Sequence, residues 1–279
     1  MNWPALTAAR TRQVQRVPLL IDDLVVGSVA RDDLHALQAW PQWLSLQDQG
    51  VSLTAADRDT ALATINMSLR QQGLVRAWRD ECYAVRDPAS GRLLARIERA
   101  ASRFWGTLTQ GAHANGYVAD AQGQPTHLWI ARRSLGKATD PGLLDNLVGG
   151  GVPDGQTPHE TLVREGWEEA GLTPAQMAAA RPGRVIRLHR DIPEGLQFEN
   201  LHCFDLQLAK GLMPRNQDGE VSGFELLTME QALAHAASAL MTVDAALVTL
   251  EFGLRHGALD QAQAQALEAA ATGLWSGGA

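Results

Sequence analysis

Residues 150–172 read GGVPDGQTPHETLVREGWEEAGL, and this stretch decides how the chain is understood. Thr157, Pro158 and Glu160 form a helix start, with an N-cap hydroxyl, a proline in the first turn and a glutamate at the capping-box position. Gly171 supplies the stop. Between them Glu165, Glu168 and Glu169 stand at i, i+3 and i+4, so three carboxylates share one stripe of the helix. Leu162, Val163, Gly166 and Ala170 form a neighbouring stripe that faces inward. Like charges at this spacing repel, and near a helix C-terminus the dipole disfavours anions as well. A solvated acidic face is the plain reading of a lone Glu-Glu pair. Three carboxylates behind Gly149-Gly150-Gly151 point instead to a hard divalent cation, which takes carboxylate and phosphate oxygens together.

The stretch resembles the Nudix box of the MutT/Nudix hydrolases, G-x5-E-x7-R-E-U-x-E-E-x-G-U with U apolar. It matches at Gly150, Arg164, Glu165, Glu168, Glu169, Gly171 and Leu172. It departs at Gln156, where the box has its first glutamate, and at Gly166, where a helix-interior glycine costs about 1 kcal/mol. The resemblance implies an α-β-α sandwich, a mixed β-sheet between helices with the box at its centre. It also implies hydrolysis of a small-molecule diphosphate with Mg²⁺ or Mn²⁺. Glu168 and Glu169 would be metal ligands, Glu165 a further ligand or the base, Arg164 its orienting partner, and the Gly149 carbonyl a completing ligand. Glu220, in Arg215–Val221, resembles the loop where many such enzymes place one more glutamate. Lys137, Arg132 and Arg133 follow a strand leading to the box and are candidates for phosphate contacts.

Working outward, His113–Ala119 and His127–Arg132 read as strands around a turn at Asp120–Gly123. Val185–Leu188 and His202–Leu208 are further strands; Thr228 caps one helix, and Val243–Leu254 forms another. This gives a catalytic domain over 107–257 and a surface helix with a frayed tail over 258–279. Residues 1–106 read as a small α+β domain, with strands at Val17–Ile21, Leu24–Val29, Cys82–Val85 and Leu93–Ile97 and helices at Asp32–Trp40 and after Thr54. No nucleophile motif, metal cluster or phosphate loop is visible there. Its aromatic residues Trp40, Trp43, Trp78 and Tyr83 fill its own core, cover one side of a pocket, or form a homodimer surface.

Asp145–Val148, Pro193–Leu196 and Arg215–Leu227, together with the N-terminal domain, resemble a Nudix branch related to thiamin pyrophosphokinase, with an N-terminal domain of the DUF4743 type. That resemblance implies cleavage of thiamin diphosphate, or its oxidised analogues, to the monophosphate. Other readings are a nucleoside-diphosphate-sugar type pyrophosphatase, a catalytically inactive Nudix binding module, and an isomerase like isopentenyl-diphosphate isomerase, which needs a catalytic cysteine. Cys82 and Cys203 sit in no such motif and read as two reduced thiols in cores. The chain has 279 residues, a net charge of -7 and 45% hydrophobic residues, an ordinary globular balance. The acidic balance argues against nucleic acid as partner. No apolar run suits a membrane span and Met1-Asn2-Trp3-Pro4 starts no secretory signal, so a cytoplasmic location is expected.

Overall fold

The computed structural model describes residues 3–276; Gly277–Ala279 of the expected tail, and Met1-Asn2, lie outside the described residues. In chain order the elements are α1 (Pro4–Ala8), β1 (Arg16–Ile21), β2 (Leu24–Ala30), a 3-10 helix (Arg31–Leu37), β3 (Leu44–Gln47), β4 (Gly50–Leu53), α2 (Arg58–Gln71), β5 (Cys82–Arg86), β6 (Leu93–Glu98) and α3 (Ala101–Trp105). Then follow β7 (Thr109–Ala119), β8 (Pro125–Arg133), β9 (Leu144–Asp145), β10 (Val148–Gly151), α4 (Pro158–Ala170), α5 (Pro174–Met177), β11 (Arg181–Ile192) and β12 (Gly195–Gln207). The chain closes with β13 (Val221–Thr228), α6 (Met229–Ala236), α7 (Val243–Arg255), α8 (Gln261–Ala270) and β14 (Trp275–Ser276).

The N-terminal part holds a four-stranded sheet in the order β2-β1-β4-β3 and a separate β5–β6 hairpin. Its core runs from Val17, Leu19 and Ile21 through Leu62, Ile65 and Leu69 of α2 to Phe104 and Trp105. Asp57 caps α2 by accepting from the Thr60 N–H. The Arg31–Leu37 turn is 3-10 and not the α-helix its pattern predicts. The short strands β3 and β4 were not legible, since four residues each are too few to show a period.

The larger sheet runs β13-β8-β7-β12-β11-β14, with β10 on β7 and β9 on β8. It is mixed, because β12 lies parallel to β7 while the other pairings are antiparallel. Helix α4 and the apolar side of β10 enclose one core, including Leu147, Leu162, Met177 and Leu206. Helices α6 and α7 enclose another on the opposite side, around Leu128, Ile186, Leu247 and Phe252. The sheet is thus sandwiched between helices, as the box implies.

The termini depart from the expected division. Trp3, Ala5, Leu6 and Ala9 bury themselves in the α6–α7 core, so the first helix packs with the far part of the chain. The C-terminal segment is no loose surface helix. Leu267, Ala271 and Leu274 are buried in that same core, Arg10 donates to the carbonyls of Ala270 and Thr272, and β14 extends the sheet on β11. Its three apolar anchors are too widely spaced among Ala and Gln to register as a helix face in the sequence.

Candidate active site

The three consecutive glycines are held by sterics. An added Cβ at Gly149 would lie 2.7 Å from His113, at Gly150 2.4 Å from Glu165, and at Gly151 1.6 Å from the Tyr83 hydroxyl. Each glycine therefore admits a different neighbour to the β10 backbone. Beneath them Asn146 is almost fully buried and donates to Asn115, Thr249 and the Ala245 carbonyl, while its Oδ1 accepts from His113 Nδ1 at 2.9 Å. Asp145 takes an ion pair from Arg133 at 2.8 Å. The Asp145-Asn146 pair before the glycines is the foundation of the loop.

Helix α4 begins at a complete capping box, Thr157 with Glu160, and ends at Gly171 in the left-handed region with φ of 65°. The expected inward stripe packs as read, with Leu162 and Ala170 fully buried. Gly166 stands where an apolar residue is usual because Met177 of α5 fills the space: an added Cβ would lie 2.5 Å from its sulfur. Gln156 accepts a hydrogen bond from the Thr161 hydroxyl at 3.0 Å and so braces the first turn. It lines the cavity beside the loop and not the cleft of the carboxylates. Trp167, on the helix face away from that core, is 52% exposed.

One cleft gathers Gly149, Gly150, Arg164, Glu165, Glu168, Lys137, Asp218 and Glu220. Arg164 forks between Glu165 at 2.9 Å and Glu168 at 2.8 Å. Glu169 is buried and accepts from the Gly149 N–H at 2.9 Å; its other oxygen has no hydrogen-bond partner among the described residues. Burial raises the Glu165 carboxyl, with Arg164 opposing and Glu168 adding to the rise. Burial, and then Glu165, lift Glu169 well above the ordinary carboxylate range. Glu220 lies below that range: burial works against ionisation, but a hydrogen bond and ion pair from Lys137 outweigh it. The loop carrying Glu220 closes the end of α4, since Arg215 and Gln217 donate backbone N–H groups to the Ala170 and Glu168 carbonyls.

These donors suit a divalent cation. Crowded, poorly solvated carboxylates beside a glycine-rich backbone loop are what a hard cation relieves. Among the described residues no three acidic, His or Cys side chains already converge on one point; Arg164 and Lys137 hold Glu165, Glu168 and Glu220 instead.

Two sequence candidates fall elsewhere. Arg132 points away from the cleft, because alternation along β8 puts Ala131 inside and Arg132 outside, where it pairs with Glu225 at 3.0 Å. Arg133 is consumed by Asp145 and the Thr139 carbonyl. Cys203 is buried, while Cys82 is exposed on the outer face of β5, correcting the expectation of two core thiols; neither lines the cleft. Of the N-terminal aromatics, Trp40 and Trp43 stack on each other with centroids 5.4 Å apart against their own core, and Trp78 lies under Arg70. Only Tyr83 reaches the glycine loop. Sequence reasoning missed three residues that line the cleft from the N-terminal part: Arg79, Glu81 and Arg99. Nothing in their local spacing marks them.

Comparison with known proteins fixes the family. A NUDIX domain model matches residues 109–245, and a model described as a domain of unknown function (DUF4743) matches residues 4–109. Nudix hydrolase 20, chloroplastic, of Arabidopsis thaliana is 33% identical over 257 residues, covering 86% of this chain and 68% of its own length. The chain belongs to the Nudix hydrolase family. Nudix hydrolase 24, chloroplastic, of the same plant is 32% identical over 250 residues with the same coverage. A crystal structure of a Deinococcus radiodurans protein aligns with a TM-score of 0.47 and 26% identity, covering 60% of this Nudix hydrolase and 97% of that chain. No helix among the described residues is long and apolar enough to cross a membrane.

Proposed function

We propose that this Nudix hydrolase cleaves an organic diphosphate to the monophosphate with Mg²⁺ or Mn²⁺, and that thiamin diphosphate or an oxidised analogue is the substrate. The observation that carries the reaction is the α4 carboxylate stripe set against the β10 glycines in one cleft. Glu165, Glu168 and Glu169, with the Gly149 carbonyl and Glu220, would hold the cation. When bound, the cation neutralises diphosphate charge and lowers the pKa of a bound water. Glu165, whose carboxyl is raised by burial, is suited to take the proton from the attacking water, while Arg164 fixes its orientation. Water oxygen bonds to phosphorus, the bridging P–O bond breaks, and the leaving phosphate departs with the electron pair. Lys137 stands at the cleft for phosphoryl oxygens; Arg132 has no part.

The thiamin reading rests on the resemblance of the flanking segments and is supported by a cavity of about 770 Å³ on the other side of the glycine loop. Val17, Val26, Val85, Val152, Leu196 and Phe198 give it apolar walls fit for an organic group. The test is turnover with Mg²⁺ on thiamin diphosphate, its oxo form, ADP-ribose, NADH and dinucleoside polyphosphates. Thiamin monophosphate formed with the highest kcat/KM supports the proposal. Faster release of a nucleotide would replace it with a nucleoside-diphosphate pyrophosphatase, and turnover of none would leave a binding module.

A further inference from the structure

Sequence reading assigns all phosphate chemistry to the C-terminal part of the chain, yet Arg79, Glu81 and Arg99 open onto the same cleft as Glu165 and Glu168. Resting on the diphosphate-hydrolase reading above, we propose that the N-terminal segment supplies a substrate clamp: Arg79 and Arg99 bind phosphoryl oxygens of the diphosphate from the side opposite α4.

Three observations carry this. First, the arginines are set in place by a fitted joint. The Tyr83 hydroxyl occupies the position a Gly151 side chain would take, and the Arg99 guanidinium carbon lies 3.3 Å from that same point. The Asp154 N–H donates to the Cys82 carbonyl at 2.8 Å, and the Asp154 carboxylate pairs with Arg96 at 2.7 Å and Arg86 at 3.3 Å. The β5–β6 hairpin is thereby pinned to the loop that carries the reaction, so Arg99 needs little ordering to meet a ligand there.

Second, the charges across the cleft are loosely matched. Arg79 reaches Glu220 only at 3.5 Å, and Lys137 already engages that carboxylate. Arg99 pairs with Glu81 at 2.8 Å, and Glu81 in turn lies 4.0 Å from Arg164. Arginine and lysine heads thus ring the acidic stripe, and cations that share a carboxylate are free to turn to phosphate when one is present. Third, guanidinium forks match phosphate oxygens two at a time, which a lone ammonium does not. A staple for the hairpin alone would need Arg99 and Glu81 but not Arg79, whose side chain keeps 35% of its surface exposed at the cleft.

The experiment uses the full chain and imidodiphosphate, whose P–N–P bridge resists hydrolysis, titrated calorimetrically at saturating Mg²⁺. Arg79→Met and Arg99→Met should each weaken binding by about 10- to 100-fold, the range of a charge-assisted hydrogen bond. Arg99→Lys should fall between, keeping charge and losing the fork. Mn²⁺ affinity, read by electron paramagnetic resonance, should stay within about twofold, because these residues are assigned to phosphate and not to metal. Should Arg99→Met not fold, Arg79→Met decides, since its side chain holds a single long ion pair. Undiminished imidodiphosphate binding in the folded variants overturns the clamp and leaves the hydrolase reading standing. Mn²⁺ affinity lost in step with diphosphate affinity also overturns it, making the arginines supports of the acidic stripe. If the unsubstituted protein binds no imidodiphosphate with Mg²⁺, the diphosphate reading fails and the clamp with it.

Discussion

Gly151→Ala tests the joint between the two parts of the chain most directly. The backbone at Gly151 has no left-handed requirement and pairs with Gly111 of β7, so alanine is tolerated by the main chain but cannot be relieved by moving it. The new methyl would sit 1.6 Å from the Tyr83 oxygen and 2.9 Å from the ring carbon bearing it. Tyr83 is buried at 4% exposure, and the only relief is a shift of its ring toward the cavity beside the glycine loop, which strains the β5 strand that carries it. Overpacking of this kind costs about 1–3 kcal/mol, and the depth of overlap places this case near the upper end. At about 2–4 °C per kcal/mol for a chain of this size, Tm should fall by roughly 6–12 °C. Removing the oxygen with Tyr83→Phe leaves the 2.9 Å contact as the nearest one. The double variant should therefore recover about 2 kcal/mol relative to the sum of the single effects. Calorimetry or thermal denaturation on the four proteins of the cycle supplies the measurement. A Gly151→Ala protein with unchanged Tm, or a double variant with no recovery, refutes the claim that the hydroxyl and the glycine share one space.

Other perturbations act on separate parts of the molecule. Glu168→Gln and Glu169→Gln should each lower kcat by several kcal/mol of transition-state stabilisation, about a thousandfold, and excess chelator should abolish turnover; a near-native kcat in either variant removes that residue from the metal set. His189 is held below its ordinary value by burial and by Arg12, and His202 by burial. Between the ordinary histidine range and those lowered values the unfolded chain binds more protons, so stability should drop as pH falls below about 6.5, and His189→Gln should make that drop shallower in urea titrations. Arg255 bridges Asp205 at 2.7 Å and fully buried Glu251; Arg255→Leu leaves Asp205 only His256 and Glu251 only Arg184, and should cost about 3 kcal/mol in denaturant unfolding, whereas a loss below 1 kcal/mol would show that the network carries no net stability.

The sequence by itself determined the catalytic helix: its cap, its stop, its carboxylate stripe and the glycine loop before it are local patterns within 23 consecutive residues. Helical periodicity alone brings Glu165, Glu168 and Glu169 to one side, and strand alternation alone puts Phe204, Leu206 and Leu208 on one face of the sheet, while burial of Cys203 and Asp205 on the other face is decided by the helices packed there. Glu220 was legible only through the family pattern and Lys137 only from its place after a strand leading to the box; 83 positions separate them, and the fold pairs them. What tertiary structure decided is everything that depends on distant segments meeting. Arg132 and Lys137 look equivalent in the sequence, yet strand alternation turns the first outward and the loop carries the second into the cleft. The sparse anchors Leu267, Ala271 and Leu274 join the core only because the fold brings them to the apolar cluster that α1, α6 and α7 also build. Arg79, Glu81 and Arg99 belong to a segment without chemical motifs, and they line the cleft because Tyr83 fits over Gly151. A contact between residues so far apart leaves no periodicity for the sequence to show.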